Sequence, residues 1–294
     1  MRMKKGTSIP ELFNRGKSIF SLEFFPPKNE AGGERMLKTA AILQPYNPDF
    51  VSITYGAGGG TRKTTMQYAR ILKNDFGFEV MPHLTCVGHT KDELLEILED
   101  FSKEGFCNIM ALRGDPPKGE NQFRPVEGGL SYATELVTLI KEYFPHIGIG
   151  VGGYPEKHPE SPDKQLDLLH LKEKVDAGAD FITTQLFFEN HAYFQFVSDC
   201  KVAQIEIPIL PGLLPVLSIG QIERFCQMCE ASLPSLLEER LKKSAEEDQP
   251  LVGSNWAKEQ VEELLNGGAP GFHLYALNQS AASVNILEGL ALKN

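Results

Sequence analysis

The sequence predicts an α/β fold, a closed (β/α)8 TIM barrel forming a single domain over residues 1–294, with 1–17 as an N-terminal extension or helix and an extra helix near the C-terminal units. Three observations carry this. Short apolar, β-like runs alternate with amphipathic helical stretches from residue 19 to the end, the signature of repeated βα units around a parallel sheet. The runs number eight, and eight units in 294 residues suit a closed barrel better than an open sheet. The residues that follow the runs are rich in polar and turn-forming types, as expected where strand ends line a site.

The first run, 19–24, lies in Ser18-Ile19-Phe20-Ser21-Leu22-Glu23-Phe24-Phe25-Pro26-Pro27 and stops at two prolines that cannot extend a ladder. Phe20, Leu22 and Phe24 share one face; Ile19, Ser21, Glu23 and Phe25 share the other, so Glu23 points away from the most apolar face. In a central strand that carboxylate is paired, hydrogen-bonded or shifted toward its protonated form; at an exposed strand end it reaches water or a lysine. The second run, 50–54, leads into Thr54-Tyr55-Gly56-Ala57-Gly58-Gly59-Gly60, and the third, 80–84, into Thr85-Cys86. A helix over 91–104 follows, with Leu94, Leu95, Ile97, Leu98 and Phe101 in one stripe. The fourth run, 108–112, precedes Arg113-Gly114-Asp115-Pro116-Pro117, and Leu136, Val137, Leu139 and Ile140 line a helix over 131–143. The fifth, 147–152, precedes Tyr154-Pro155-Glu156-Lys157-His158-Pro159; the sixth, 181–186, carries Gln185. The seventh, 207–212, contains Pro211, and the eighth is 272–277. Between these last two, the charged interval 238–249 reads as the solvated face of the extra helix.

Composition narrows the function. A net charge of -10 argues against nucleic-acid or anionic-membrane partners, which demand a basic surface. With neither a long apolar run nor a leader-like start, the expected location is cytoplasmic. Five cysteines, an odd number, do not form a disulfide framework. Cys226 and Cys229 fall inside a helix as an isolated C-x-x-C without further ligands at suitable spacing, so they read as two unrelated helix cysteines and no metal site is expected.

Two glycine motifs need separate treatment. Gly148-Ile149-Gly150-Val151-Gly152-Gly153 matches the dinucleotide fingerprint literally, but Tyr-Pro-Glu-Lys-His-Pro follows it where a helix must start. It reads instead as a strand with one bare face, leaving room for a flat ring. The stretch 56–65 resembles a phosphate loop but has Thr61 and Arg62 between its glycines and Lys63, so a lid or helix-start loop is the better reading.

Taken together, Leu22-Glu23-Phe24-Phe25-Pro26-Pro27, Val51-Ser52-Ile53-Thr54-Tyr55-Gly56-Ala57, Pro82-His83-Leu84-Thr85-Cys86, Ala111-Leu112-Arg113-Gly114-Asp115 and Gly153-Tyr154-Pro155-Glu156 resemble the methylenetetrahydrofolate reductase family. His170-Leu171-Lys172-Glu173-Lys174-Val175, the stretch 178–188 and His273-Leu274-Tyr275-Ala276-Leu277-Asn278 continue the similarity in order along the chain. The resemblance implies a barrel that carries FAD and reduces methylenetetrahydrofolate to 5-methyltetrahydrofolate for methionine synthesis, with NADH or NADPH as ping-pong hydride source. It makes Glu23 the general acid at the folate nitrogen, with a pKa expected to rise through enclosure. Asp115 would stand beside flavin and pterin and tune the cofactor, and Gln185 would hydrogen-bond substrate. Matching FAD positions are Thr54, Tyr55, Ala57, His83, Arg113, Gly114, Asp115, Tyr132, Ala133, Tyr154, His158, Asp167, His170 and Lys174, with Arg113 and Lys174 toward the diphosphate.

Two positions depart from the bacterial pattern. Ile219 stands where those members have a phenylalanine against nicotinamide, and Gln279, a substrate-binding position, stands where they have an arginine toward the folate tail. The chain stops at Asn294, so the regulatory domain of eukaryotic members, and inhibition by S-adenosylmethionine through it, are not expected. A homo-oligomer, dimer or tetramer, is implied. Two alternatives stand beside this reading: a related folate reductase fed by an electron-carrying partner protein, and a non-catalytic pterin- or flavin-binding barrel.

Overall fold

Nine parallel strands follow one another around the molecule in the order β7-β6-β5-β4-β3-β2-β1-β9-β8. They are β1 (Ile19–Phe24), β2 (Phe50–Ile53), β3 (Val80–Thr85), β4 (Asn108–Leu112), β5 (Gly148–Gly153), β6 (Phe181–Thr184), β7 (Ile209–Leu210), β8 (Gly212–Leu213) and β9 (Gly271–Tyr275). The computed structural model describes residues 6–56, 62–116, 119–120 and 122–290. All eight expected runs form strand, but the seventh is cut in two at Pro211, which has no N–H to donate. Its first piece pairs with β6 and its second with β9, so this broken run closes the barrel.

Helices cover the outside. They are α1 (Ile9–Leu12), α2 (Glu30–Leu43), α3 (Arg62–Asn74), α4 (Lys91–Lys103), α5 (Ala133–Tyr143), α6 (Lys164–Asp176), α7 (Asn190–Val202), α8 (Ile219–Cys229), α9 (Ser235–Lys243), α10 (Gln249–Asn266) and α11 (Ala281–Glu288). Local chemistry sets several starts. Thr90 and Glu93 form a reciprocal capping box on α4, and the side chains of Asn29, Asp163 and Ser218 each accept from a first-turn amide of α2, α6 and α8. None of the described helices is long and apolar enough to cross a membrane.

Strand alternation sorts the core into two layers. On β1, Phe20, Leu22 and Phe24 face outward and join Met36, Ala40 and Leu43 of α2 in the main cluster. Ile19 faces inward with Phe50, Met81, Met110, Phe181 and Leu210, and Ile9 and Leu12 of α1 seal this floor from below. The N-terminal segment is pinned there by Asn108, which is fully buried: Oδ1 accepts from Ile9 N at 2.8 Å, and Nδ2 donates to Thr7 O at 2.8 Å and Glu79 Oε1 at 3.0 Å. Replacing Asn108 by Ala strands the Ile9 N–H in an apolar floor and should cost about 2–3 kcal/mol, read as a lower urea midpoint at unchanged slope.

The expected extra helix is present as a two-helix excursion, α8 and α9, between β8 and α10. Ile222, Leu237 and Leu241 pack it on Leu186, Phe188, Leu214 and Val216 in a second apolar cluster, which also takes in Cys226. The charged interval contributes the end of α9 and a single turn, with Lys242 and Lys243 paired to Glu238 and Glu239 one turn back. Burial pushes the Cys226 thiol up to about 11, which suits a packing residue.

Candidate active site

Above the apolar floor the inward positions turn polar, and they converge on Glu23. Its carboxylate, 6% exposed, accepts from Ser52 Oγ at 3.1 Å through Oε2, which also lies 3.2 Å from His83 Nε2 and 3.4 Å from His273 Nε2. Ser21 Oγ bonds His273 Nδ1 at 2.7 Å, so β1, β2, β3 and β9 each contribute one or two groups to one network. Burial alone pushes the Glu23 carboxyl up, as expected from its enclosure, but the charges and hydrogen bonds of His83 and His273 outweigh it and hold the group well below the usual carboxylate range. The expectation of a raised pKa is therefore corrected. The reason is non-local: the two imidazoles that reverse the sign arrive from strands β3 and β9.

The glycine strand β5 also needs a correction. Its inward face is not uniformly bare: a Cβ on Gly148 would meet Asn108 Oδ1 at 2.7 Å and Pro10 at 2.8 Å, and one on Gly150 would meet the Phe181 ring at 2.7 Å. Among these three, Gly152 opens on space, with Leu112 Cδ2 at 3.7 Å the sole close atom among the described residues. The room for a flat group is at the top of β5 alone.

Lys174 of α6 reaches this spot. Its Nζ donates to Gly152 O at 2.7 Å, which ties the ammonium to the strand. Burial pushes Lys174 down to about 8 against the pull of Asp167. Between about pH 8 and pH 10.4 the unfolded chain keeps a proton the folded chain has released, so the contribution of Lys174 to stability grows with pH across that window, against the opposite contribution of buried thiols such as Cys226. The stability of wild type relative to Lys174→Met should therefore be greater at about pH 9.5 than at about pH 7.5, as checked by urea midpoints of both proteins at the two values.

The other predicted residues gather at the C-terminal strand ends to differing degrees. Thr54 O accepts from Thr65 Oγ1 at 3.2 Å, tying the end of β2 to α3, and the buried Tyr55 OH bonds His89 Nε2 at 2.9 Å. Ala57 lies outside the described residues. Gly114 takes φ +89°, and a Cβ there would meet Val87 at 2.8 Å and Thr85 at 3.0 Å, so only glycine lets the β4 loop sit this low. Arg113 forms a two-pronged pair with Glu160 at 2.6 and 2.8 Å, which raises its pKa, and Asp115 is exposed at the mouth. The Tyr154 and His158 rings meet at 4.5 Å, and Asp167 Oδ2 accepts from His158 N at 3.0 Å, so the loop after β5 is fastened to α6. Gln185 Oε1 accepts from Leu186 N at 2.9 Å.

Several candidates lie toward solvent. Tyr132 is 62% exposed just before Ala133 at the start of α5, His170 pairs with Glu173 on the outer side of α6, and Gln279 is exposed. Gln279 follows Leu277 and Asn278, two successive non-glycine residues at φ +50° and +54°. Asn278 steadies this turn by exchanging two hydrogen bonds with the Phe25 backbone, at 3.0 and 2.8 Å. Ile219 opens α8, its N–H donating to Gln249 Oε1 at 2.9 Å.

Sequence reasoning did not single out Ser21, Ser52, Thr85, Thr183, His273 or Tyr275, all on the inner wall. Tyr275 OH donates to Thr184 O at 2.6 Å, spanning the gap where the broken seventh run passes. The available signal was the alternation itself, since each of them shares a face with an inward residue of its strand.

Comparisons with known proteins bear on this site. A family model described as "Methylenetetrahydrofolate reductase" matches residues 8–291. The chain is 38% identical over 302 residues to "Methylenetetrahydrofolate reductase (NADH) 1" of Arabidopsis thaliana, covering 99% of this chain and 51% of that protein. It is 39% identical over 282 residues to "5,10-methylenetetrahydrofolate reductase" of Salmonella typhimurium, covering 95% and 93%. It thus spans about half the length of the plant relative and nearly all of the bacterial one. Among solved structures, an uncharacterized Clostridium thermocellum protein said to bind two copies of 5-methyl-5,6,7,8-tetrahydrofolic acid shares the fold, at TM-score 0.63 and 18% identity over 96% of each chain.

Proposed function

Because this chain belongs to the methylenetetrahydrofolate reductase family, we propose that it reduces methylenetetrahydrofolate to 5-methyltetrahydrofolate, using FAD and taking reducing equivalents from NADH or NADPH in the same cleft. The observation that carries this reading is the buried Glu23 carboxylate, held by His83, His273 and Ser52 at the base of a mouth whose far wall opens only at Gly152. Opening a folate ring needs a proton delivered at a nitrogen in a place shielded from water, and the enclosed Glu23 carboxyl is the group positioned to deliver it.

The wall fits a flavin. Gly152 leaves a flat space, and on its level Thr183 Oγ1 of the next strand and Thr85 Oγ1, two strands away, are buried without partners among the described residues. Lys174 donates to Gly152 O at that space and Gly114 packs on Thr85, while Tyr154 and His158 pack on each other in the loop after β5 and Arg113 is held by Glu160. Bound there, FAD supplies the two-electron chemistry linking pyridine nucleotide to folate. The name of the plant relative makes NADH the first donor to test.

The chain's own part is the proton and the positioning. Glu23 is held ionised in the free protein and must take up a proton before it can deliver one. Docking of a ring over Glu23 strengthens the upward push of burial and favours uptake of that proton at Oε2, from which it is delivered. Asp115 places a negative charge at the rim, which opposes charge accumulation on a reduced cofactor. Gln185, whose Oε1 is engaged by Leu186 N, keeps its amide N–H groups for substrate.

An anaerobic absorbance titration tests the proposal. Flavin bands should bleach with NADH or NADPH and return on adding methylenetetrahydrofolate. A flavin-loaded protein inert to both nucleotides would move the reading to a reductase fed by an electron-carrying protein. A protein that takes up no FAD would overturn the cofactor assignment.

A further inference from the structure

Two buried hydroxyls on the inner wall are not used by the fold. Thr85 Oγ1 on β3 and Thr183 Oγ1 on β6 have no hydrogen-bond partner among the described residues, although the residues are only 4% and 5% exposed. Thr85 alternates with the inward His83 and Met81, and Thr183 with the inward Phe181, so both face the lumen. Strand register puts them on one level. Thr85 lies opposite Leu112 and Gly152 opposite Thr183, while Ala111 opposite Val151 places Leu112 beside Gly152. Across β3 to β6 the wall therefore reads hydroxyl, isobutyl, open glycine, hydroxyl. Thr184, next in sequence, is different: its Oγ1 accepts from Gly212 N at 2.9 Å and serves barrel closure.

A buried hydroxyl is normally satisfied, and two unsatisfied ones on the level of the only open glycine of β5, Thr183 next to it and Thr85 beyond Leu112, require a partner that the described residues do not supply. We propose that Thr85 and Thr183 bind the flavin ring directly, their hydroxyls pairing with its polar edges while Leu112 and Gly152 receive its face. This deepens the cofactor reading above and rests on it. The ring is assigned to flavin and not to pterin because its open position, Gly152, and Thr183 lie on β5 and β6. Glu23 and Ser52 belong to β1 and β2, on the other side.

The test compares flavin-stripped wild type with Thr85→Val, Thr183→Val, Thr85→Ser and Thr183→Ser, titrated with FAD and with riboflavin, which carries the ring without diphosphate or adenine. Each valine variant should weaken both ligands by about three- to tenfold, whereas each serine variant keeps wild-type affinity. The Tm of the ligand-free valine variants should be unchanged or higher, since the change removes an unpaired buried hydroxyl. Valine variants that bind both ligands as wild type does would overturn the proposal while leaving the cofactor reading intact. So would a fall in ligand-free Tm together with affinity that serine fails to restore. If wild type binds neither flavin, the cofactor reading fails, and this assignment with it.

Discussion

Glu23→Gln should lower turnover of methylenetetrahydrofolate by about 10²- to 10⁴-fold while the protein retains its flavin and its reduction by pyridine nucleotide. The amide keeps the shape of the carboxylate and can still meet Ser52, but it has no proton to give at neutral pH. Half-reactions measured by stopped-flow absorbance separate the outcomes: loss confined to the folate step supports the assignment, and equal loss in both steps assigns Glu23 to positioning alone. His83 supplies a second arm. It is the largest of the influences that lower the Glu23 pKa, and burial is the largest that raises it. In His83→Gln the balance should tip upward, so the alkaline limb of the pH-rate profile for the folate step, where the donor loses its proton, should move to higher pH. An unmoved limb would mean that the imidazole does not set the carboxyl.

The second large effect is steric. Gly152→Val should abolish flavin uptake, on the order of a 100-fold or greater loss of affinity, because the new methyls occupy the space a ring needs. Little else should change: the nearest atom to a Cβ at Gly152 is Leu112 Cδ2 at 3.7 Å, an ordinary contact. The control is Gly150→Ala, one inward position lower, where the Cβ falls 2.7 Å from the Phe181 ring. That change should cost about 1–3 kcal/mol of stability through overpacking, with flavin affinity much less affected. Flavin titration and thermal unfolding on both variants check the pair. If Gly152→Val binds FAD normally, the ring does not lie on β5.

Much of this was legible in the chain because it is local. A period of two places Phe20, Leu22 and Phe24 on the outside and Glu23 on the inside wherever β1 sits, and glycines at every second position of β5 mark a face without side chains. The stripe Leu94, Ile97, Leu98 and Phe101 likewise assigns the buried side of α4 before any partner is known. The family resemblance added roles for Glu23, Asp115 and Gln185 from motifs in order along the chain.

What the sequence by itself determined is therefore the barrel class and the facing of each strand, Glu23 on the inner wall included. What only the tertiary structure decided is the environment of those groups. His83 and His273 meet Glu23 from β3 and β9, the latter across 250 residues, and together reverse the expected direction of its pKa. Phe181 and Pro10 fill two of the three inward glycines of β5 and leave Gly152 as the opening. Pro211 breaks a run whose halves serve different neighbours and so complete the ring of strands. The physical reason is common to all three: alternation dictates which way a side chain points, but closure of the barrel dictates what it meets, and burial and charge at a site depend on the meeting.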